Sequence, residues 1–282
     1  MTILEEIVAY KKIEVEKSKE RLSFEKLKKQ IQSISGAQCH APAGFVNAIK
    51  NKINKKEIAI IAEIKKASPS RGIIKENFNH IEIATAYKNG GATCLSVLTD
   101  NKYFQGNINY IKEIKSTEPC CNLPLLRKDF IIDPYQIYES IYYGADCILL
   151  IVGVFHEKPL QQQLRDLYEI ACENKIDCLI EVHDEREMEI ALDIVETLHA
   201  TSLLGINNRD LKTFKTDLKT TEKLVNKYRN DLKNKIVVSE SGIFSRNDIS
   251  YLTKLDVRTF LIGESLMIKE NIELALKELI NG

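Results

Sequence analysis

The chain has 282 residues, and its 40 basic side chains (Lys and Arg) are balanced by 40 acidic ones (Asp and Glu). Because the formal net charge is zero, no overall field attracts nucleic acid or an anionic membrane surface, and an anionic ligand has to be held by local groups. The length is enough for one large core and argues against a second full domain, so we expect residues 1–282 to form a single domain.

Apolar runs and cysteines exclude further classes of protein. The longest apolar run, 147–155, is shorter than the roughly 20 residues that cross a bilayer. The N-terminus carries acidic residues in a helical pattern and lacks the apolar core of an export signal, so we expect a cytoplasmic protein. The seven cysteines never form a Cys-x-x-Cys pair, which argues against a disulfide framework and against a zinc site.

Two helical stripes begin the chain. Apolar residues at 3–8 mark one amphipathic helix, and Phe24, Leu27 and Ile31 mark a second. Residues 1–50 fit no strand pattern and are predicted to form a helical extension. This extension either plugs one end of the fold or helps to cover its active site, and the pattern alone leaves both possibilities open.

From residue 58 to the end, short β-branched runs alternate with longer amphipathic stretches. The alternation predicts repeated strand–helix units and a parallel sheet, and eight such runs favour a closed (β/α)8 TIM barrel over 58–282. An open doubly wound sheet would need a glycine-rich dinucleotide turn after an early strand, and none is present. The predicted strands are 58–64, 93–98, 124–128, 146–152, 177–182, 202–206, 236–239 and 260–262, and the clearest helices are 81–89, 134–143, 159–174 and 186–198.

Ionisable side chains stand at the end of the first predicted strand. Glu63 and Lys65 share the strand face of Ala59 and Ile61, which we take to be the barrel interior. Charges there are costly unless paired, and at the C-terminal ends of barrel strands they are typical of catalysis, although a structural ion pair is the alternative. The loop that follows, 66–79, has the length of a lid.

The third and fifth strands end in the same way. Lys128 shares a face with Leu126, and Glu181 shares one with Leu179. A lysine at this position can act as a general acid on a carbonyl oxygen, whether it is desolvated or kept charged by a neighbouring carboxylate. Packing alone does not explain interior charges at three strand ends. His183 lies in the predicted turn before the next helix, and we interpret it as structural.

The last three strand ends predict anion binding. After the sixth strand Asn207 and Arg209 share a face and can grip a carboxylate, with a turn-forming asparagine as the alternative. Barrel enzymes often bind phosphate through backbone amides of the loops after strands seven and eight and a short helix N-terminus. The predicted phosphate-binding residues are Glu240, Ser241, Gly242, Gly263, Glu264 and Ser265.

Together these motifs resemble the indole-3-glycerol phosphate synthase family over nearly the whole chain, including the N-terminal helices. Segment 63–70, Glu-Ile-Lys-Lys-Ala-Ser-Pro-Ser, is similar to the family's first-strand signature, and segment 102–106 is similar to its second-loop aromatic segment. Segments similar in order and spacing are also found at 126–130, 179–181, 206–211, 240–242 and 263–267.

The resemblance implies a carboxy-lyase of tryptophan biosynthesis, which closes the indole ring of 1-(2-carboxyphenylamino)-1-deoxyribulose 5-phosphate with loss of CO2 and water and needs no cofactor. The catalytic residues that it implies are Lys128, as general acid on the ribulose carbonyl, with Glu63, Lys65, Glu181 and Asn207. The substrate-binding residues that it implies are Ser68, Phe104, Leu126, Arg209 and Leu211, in addition to the phosphate-binding set.

Two other functions stay open at this point. The chain could be another phosphate-sugar barrel enzyme, such as an isomerase, but such a reaction does not explain why Glu63 and Lys65 lie on the first strand. A catalytically silent barrel that binds a phosphorylated metabolite or a partner enzyme would tend to lose its acid and base, and here both are present. The expected ligand is a phosphorylated small molecule in each case. We expect a monomer, although no residue pattern bears on the oligomeric state.

Overall fold

The structure is a computed structural model that describes residues 2–35, 44–155, 157–198, 203–210 and 215–282, without the side chains of residues 34, 35, 197 and 198. Within these residues eight parallel strands close into a barrel, and each strand pairs with its neighbours in chain order. The predicted (β/α)8 barrel is thereby confirmed. The strands are β1 (Ala59–Ile64), β2 (Cys94–Leu98), β3 (Leu125–Lys128), β4 (Cys147–Ile151), β5 (Asp177–Val182), β6 (Leu203–Asn207), β7 (Ile236–Glu240) and β8 (Thr259–Ile262).

Helices precede the barrel and surround it. Those after β1 and β3 end at Gly91 and Gly144, whose φ angles of 93° and 91° are the left-handed conformation that glycine adopts without strain. The helices in the described residues are α1 (Ile3–Arg21), α2 (Phe24–Ser35), α3 (Phe45–Asn54), α4 (His80–Gly90), α5 (Asn101–Phe104), α6 (Asn109–Lys115), α7 (Pro134–Tyr143), α8 (Lys158–Glu173), α9 (Glu185–Leu198), α10 (Lys219–Lys227), α11 (Arg229–Leu232), α12 (Arg246–Thr253), α13 (Glu264–Met267) and α14 (Ile272–Asn281).

The strands are buried on both faces because helices cover the outside of the barrel and side chains fill its interior. Ala59 and Ile61 belong to the interior cluster, whereas Ile60 and Ala62 pack outward in the cluster that includes the surrounding helices. This alternation confirms the face predicted for β1. It follows that the next residue of the inward series, Glu63, points into the top of the barrel.

The N-terminal helices lie at both ends of the barrel. α3 closes the bottom, where Phe45 and Ile49 join the interior cluster and the backbone N–H of Val46 donates to Asp177 Oδ2 at 2.9 Å. α1 lies at the opposite end, where Ile7 lines the cavity at the tops of the strands. Each of the two roles considered for the extension is therefore held by a different helix.

Some boundaries differ from the predicted ones by one or two residues. The fourth strand stops at Ile151 because a 3-10 turn, Val152–Phe155, begins there. Cys120 and Cys121 lie in the 3-10 turn Cys120–Asn122. In the part of the chain that the structure describes, no helix combines the length and the apolar character needed to span a membrane. The assignment of 1–282 to one domain stays a prediction.

Candidate active site

A cavity of about 170 Å³ opens where the barrel strands end. Side chains from α1 and from most of the strand ends converge on it, so residues that are far apart in the chain share one mouth. The predicted site residues that line it are Glu63, Lys65, Ser68, Phe104, Lys128, Glu181, Asn207, Arg209, Glu240, Ser241, Gly242, Gly263, Glu264 and Ser265.

Charged side chains from four strands meet at the base of this cavity. Lys128 Nζ donates to Glu181 Oε2 at 2.7 Å and lies 3.5 Å from Glu240 Oε2. Across the mouth Lys65 forms an ion pair with Glu63. All five side chains are at least four-fifths buried, so these charges interact through protein rather than through bulk water.

The two carboxylates beside Lys128 have opposite protonation tendencies. Burial raises the pKa of Glu181, but Lys128 and His183 lower it by more, so this carboxyl is ionised. For Glu240 burial is again the largest influence, and the repulsion from Glu181 and Glu63 adds to it, so the pKa stays raised despite Lys128. Burial lowers the pKa of Lys128, yet the surrounding carboxylates raise it by more, and the ammonium stays charged.

Two glycines make room for this cluster. Gly205 lies opposite Glu181 in the β5–β6 register, and a Cβ there would overlap the carboxylate of Glu240. At the end of β8 a Cβ on Gly263 would overlap the side chain of Glu63. On β6 the amide of Asn207, the register partner of Glu240, donates to Glu181 Oε1 at 3.1 Å.

Backbone turns follow β7 and β8 on the same side of the mouth. Ser241 and Gly242 have φ angles of 66° and 77°, and a left-handed conformation is uncommon for a serine, which marks a sharp turn at the cavity wall. After β8 the chain enters the short helix α13 at Glu264. Ser265 donates its hydroxyl to the carbonyl of Ile243 at 2.7 Å and so ties the two loops together.

The loop predicted as a lid contains a small hairpin formed by Ala67–Ser68 and Gly72–Ile73. Its tip is held over the mouth because Arg71 Nη2 lies 2.9 Å from Glu264 Oε1. Arg209 Nη2 lies 3.0 Å from the other oxygen of the same carboxylate. The side chain of Glu264 thus orients two arginines, and the three side chains together carry one net positive charge at the cavity.

Comparisons with known proteins identify the family. The sequence profile described as "Indole-3-glycerol phosphate synthase" matches residues 4–279. Among named relatives, the indole-3-glycerol phosphate synthase of Acetivibrio thermocellus is 46% identical over 276 residues, which cover 98% of each chain. That of Polynucleobacter asymbioticus is 45% identical over 277 residues, again 98% of each. The chain belongs to the indole-3-glycerol phosphate synthase family.

Solved structures with the same fold are much less similar in sequence. A 3-hexulose-6-phosphate synthase superposes with a TM-score of 0.61 at 12% identity, covering 79% of this chain and 99% of that one. KGPDC from Streptococcus mutans gives a TM-score of 0.57 at 14% identity, covering 80% and 97%. At such low identity these likenesses show the barrel fold alone. The family assignment rests on the sequence relatives.

The apolar wall of the mouth differs from the one expected for an indole-3-glycerol phosphate synthase family member. Phe104 lines the cavity and its ring centre lies 6.2 Å from that of Phe130. Leu126, expected among the substrate-binding residues, is fully buried in the barrel interior and is not among the lining residues, whereas Lys128, two residues further along the same strand face, lines the cavity. Leu211 lies outside the described residues. The apolar lining also includes Ile3, Leu4, Ile7, Leu149, Ile151, Phe244 and Leu261.

One charged residue near the site, Lys11, was not recognised in the sequence, and a second, His183, was recognised and interpreted as structural. Lys11 is only 2% exposed and places Nζ 2.9 Å from Asp100 Oδ2 and 2.8 Å from Asp129 Oδ1. His183, interpreted as structural, lies against Glu181. Lys11 occupies the apolar face of α1, four residues after Ile7, and that position was the one signal that could have found it. Among the described residues, no group of three or more His, Cys, Asp or Glu side chains is placed to hold a metal ion.

Proposed function

We propose that the chain converts 1-(2-carboxyphenylamino)-1-deoxyribulose 5-phosphate into indole-3-glycerol phosphate, CO2 and water, the reaction named by its family. The observation that supports this best is Lys128, which lies between Glu181 and Glu240 in a buried mouth with an apolar wall on one side. A proton donor, a proton acceptor and a surface for an aromatic ring are the three things that the cyclisation requires.

In the proposed ring closure, Lys128 delivers a proton to the ribulose carbonyl oxygen. The ring carbon that carries the carboxylate attacks the carbonyl carbon, and a carbon–carbon bond forms as the carbonyl oxygen becomes a hydroxyl. The carboxylate then leaves as CO2, and the electrons of its broken bond restore the aromatic ring. A charged ammonium suits this step because it attracts the developing negative charge on oxygen before the proton moves.

Dehydration completes the proposed reaction. The hydroxyl leaves as water with a proton from an acid, while a base takes a proton from the neighbouring carbon that is bound to nitrogen. Of the two carboxyls beside Lys128, Glu181 is the ionised one and suits the role of base, with Glu63 across the cavity as the second proton-transfer group. Glu240, whose raised pKa keeps its carboxyl protonated, suits the role of proton donor.

Binding groups surround these reacting side chains. We assign the phosphate to the backbone turns of Ser241, Gly242 and Gly263, since a phosphate needs several N–H donors at one place. Arg209 and Lys65 are assigned to the substrate carboxylate, for which a guanidinium offers paired donors. The anthranilate ring is assigned to the apolar side of the cavity.

Substitution of the central lysine tests the proposal. General acid catalysis contributes about 10²–10⁴-fold, so we expect Lys128→Ala to fold and to lose at least about 100-fold in turnover, followed by the fluorescence of the indole product. Lys52→Ala is the matched control, because Lys52 pairs with Glu57 at the other end of the barrel and is 41% exposed. If Lys128→Ala keeps wild-type turnover, the assignment of Lys128 is wrong. If the wild-type protein itself is inactive, the result favours a catalytically silent barrel.

The place of action and the assembly stay predictions. No contact among the described residues tests the cytoplasmic location or the monomeric state. Size-exclusion chromatography with light scattering would measure the mass of the particle against the 32.2 kDa of one chain. A mass near twice that value would contradict the expected monomer.

A further inference from the structure

His183 connects the site to a charged group behind it. It directly follows β5 and, two residues after Glu181, lies on the same side of the chain. Its side chain is 12% exposed and is not among the described residues that line the cavity. The ring Nε2 lies 3.3 Å from Glu181 Oε1, and the ring Nδ1 lies 3.0 Å from Glu187 Oε2. The imidazole therefore faces two carboxylates: Nδ1 is hydrogen-bonded to Glu187, and Nε2 is in charge contact with Glu181 without a hydrogen bond.

Glu187 is held in place for this contact. It lies in the first turn of α9, where its backbone N–H donates to Asp184 Oδ1 at 2.9 Å. Its Oε2 also accepts the backbone N–H of His183 at 2.7 Å, so the carboxylate turns back toward the barrel. A Cβ at Gly153 would come within 2.9 Å of the other oxygen, and the glycine thus leaves room for it.

The two carboxylates that share Lys128 have different surroundings because of this contact. Glu181 faces the His183 ring in addition to Lys128. Glu240 faces Lys128 at the longer distance of 3.5 Å, together with the like charges of Glu181 and Glu63. Its Oε1 is buried and has no hydrogen-bond partner in the described part of the chain. One carboxylate thus has two facing cations, whereas the other has one.

The charges agree with the geometry. Burial lowers the pKa of His183, but the facing carboxylates of Glu181 and Glu187 raise it by more, to about 10. The ring is therefore a cation at neutral pH. Around Glu181 this cation joins Lys128 from β3 and the amide of Asn207 from β6.

We propose that His183 is a positioning residue, which makes Glu181, and not Glu240, the ionised carboxylate beside Lys128. The inference rests on the proposed cyclisation, in which one carboxyl has to accept a proton and another has to donate one. Two like groups take separate acid and base roles only if their environments differ. The imidazolium, held from behind by Glu187, is that difference.

His183→Gln tests the proposal because glutamine keeps an amide donor near Glu181 and removes the positive charge. We expect the acid limb of the pH profile of kcat/KM to move to higher pH by about one unit or more. Each unit of this shift lowers kcat/KM on that limb about tenfold. KM should stay close to wild type, since the ring does not line the cavity. A loss of kcat/KM that is the same at every pH, or an acid limb that does not move, overturns the proposal.

The matched control is another histidine that faces a glutamate. His80 Nε2 lies 2.6 Å from Glu113 Oε2, and His80 is not among the residues that line the cavity. His80→Gln should leave the acid limb where it is. Should the His183 variant fail to fold, Glu187→Gln provides the test, because it removes one of the two counter-charges of the ring: the pKa of the His183 ring should fall, while the acid limb, where the ring stays protonated, should not move up.

A measurement without turnover separates this inference from the proposed function. Nitrogen NMR of the five histidine rings, with the His183 signal assigned from its absence in His183→Gln, should show a doubly protonated His183 ring well above neutral pH. A ring that titrates near 6.5, the value of a free histidine, overturns the inference even in an active enzyme. An inactive wild type whose His183 ring stays protonated contradicts only the proposed function.

Discussion

Glu240 shows how burial sets the protonation of a single side chain. It is 1% exposed, and its raised pKa means that the folded chain keeps a proton that the unfolded chain has already lost above about pH 4.3. In that range the folded state binds more protons than the unfolded state, so the free energy of unfolding falls as the pH rises toward the folded pKa. A residue that suits proton donation is therefore also a source of instability in alkaline solution.

Glu240→Gln removes this pH-dependent loss, because an amide has no proton to lose. We expect the melting temperature of the variant minus that of wild type to increase as the pH rises from about 5 to about 9. The turnover of the variant should be lower than that of wild type. Circular dichroism melts at several pH values measure the difference. Glu57→Gln is the control, since the hydrogen bond and charge of Lys52 lower the pKa of that exposed carboxyl, so its difference from wild type should stay flat over the same pH range. If the difference in melting temperature between Glu240→Gln and wild type does not change with pH, the expectation is wrong.

At the scale of elements, one buried lysine connects α1 to two loops of the active site. Lys11 pairs with Asp100, which caps α5, and with Asp129, which directly follows the catalytic candidate Lys128. Burial raises the pKa of Asp129, but Lys11 and Arg127 lower it by more, to about 2. The helix and the tops of β2 and β3 are thus held together by charges that water does not screen.

Lys11→Met should therefore destabilise the protein strongly, because it leaves the buried Asp100 without its cation and Asp129 with Arg127 alone. Removing one partner of a buried pair costs about 3–5 kcal/mol, whereas we expect about 1 kcal/mol or less for Lys19→Met on the same helix. Lys19 pairs with Asp133 at 2.9 Å, and each of these two side chains is 29% exposed. Urea unfolding at neutral pH compares the two variants. Equal losses of unfolding free energy would contradict a special role for Lys11.

At the scale of the whole molecule, the two ends of the barrel have different tasks. Interior residues and α3 form a close-packed bottom, and the charged mouth at the top is covered by α1 and by the hairpin of the first loop. This is the division between stability and chemistry that is general for such barrels. We propose on this basis that 1–282 form one domain, since the N-terminal helices contact both ends of the barrel.

Binding of indole-3-glycerol phosphate should therefore protect one end only. We expect slower amide hydrogen exchange in the hairpin segment 66–74 and in the turns at 241–243 and 263–267, because these segments line one mouth and close on one ligand. Exchange in α3 should stay unchanged and acts as the internal control. Mass spectrometry of exchanged peptides measures both. Protection confined to the α3 end would contradict the proposed site.

The barrel and the positions of its charged strand ends follow from the amino-acid sequence. Strands buried on both faces read as short β-branched runs, and parallel strands all end on the same side, so Glu63, Lys128 and Glu181 were predictable as neighbours. The turns after β7 and β8 were predictable for the same reason. The family, too, was recognisable from the sequence, because segments similar to those of the family occur in the same order and at the same spacing.

Which of these groups touch, and what surrounds them, is a property of the closed barrel. The contacts of His183 with Glu181 and Glu187 and the pairing of Lys11 with carboxylates about 90 and 120 residues away do not follow from spacing. The physical reason is that burial and Coulomb interactions depend on distances through space across separate elements, and those distances exist only once the barrel has closed.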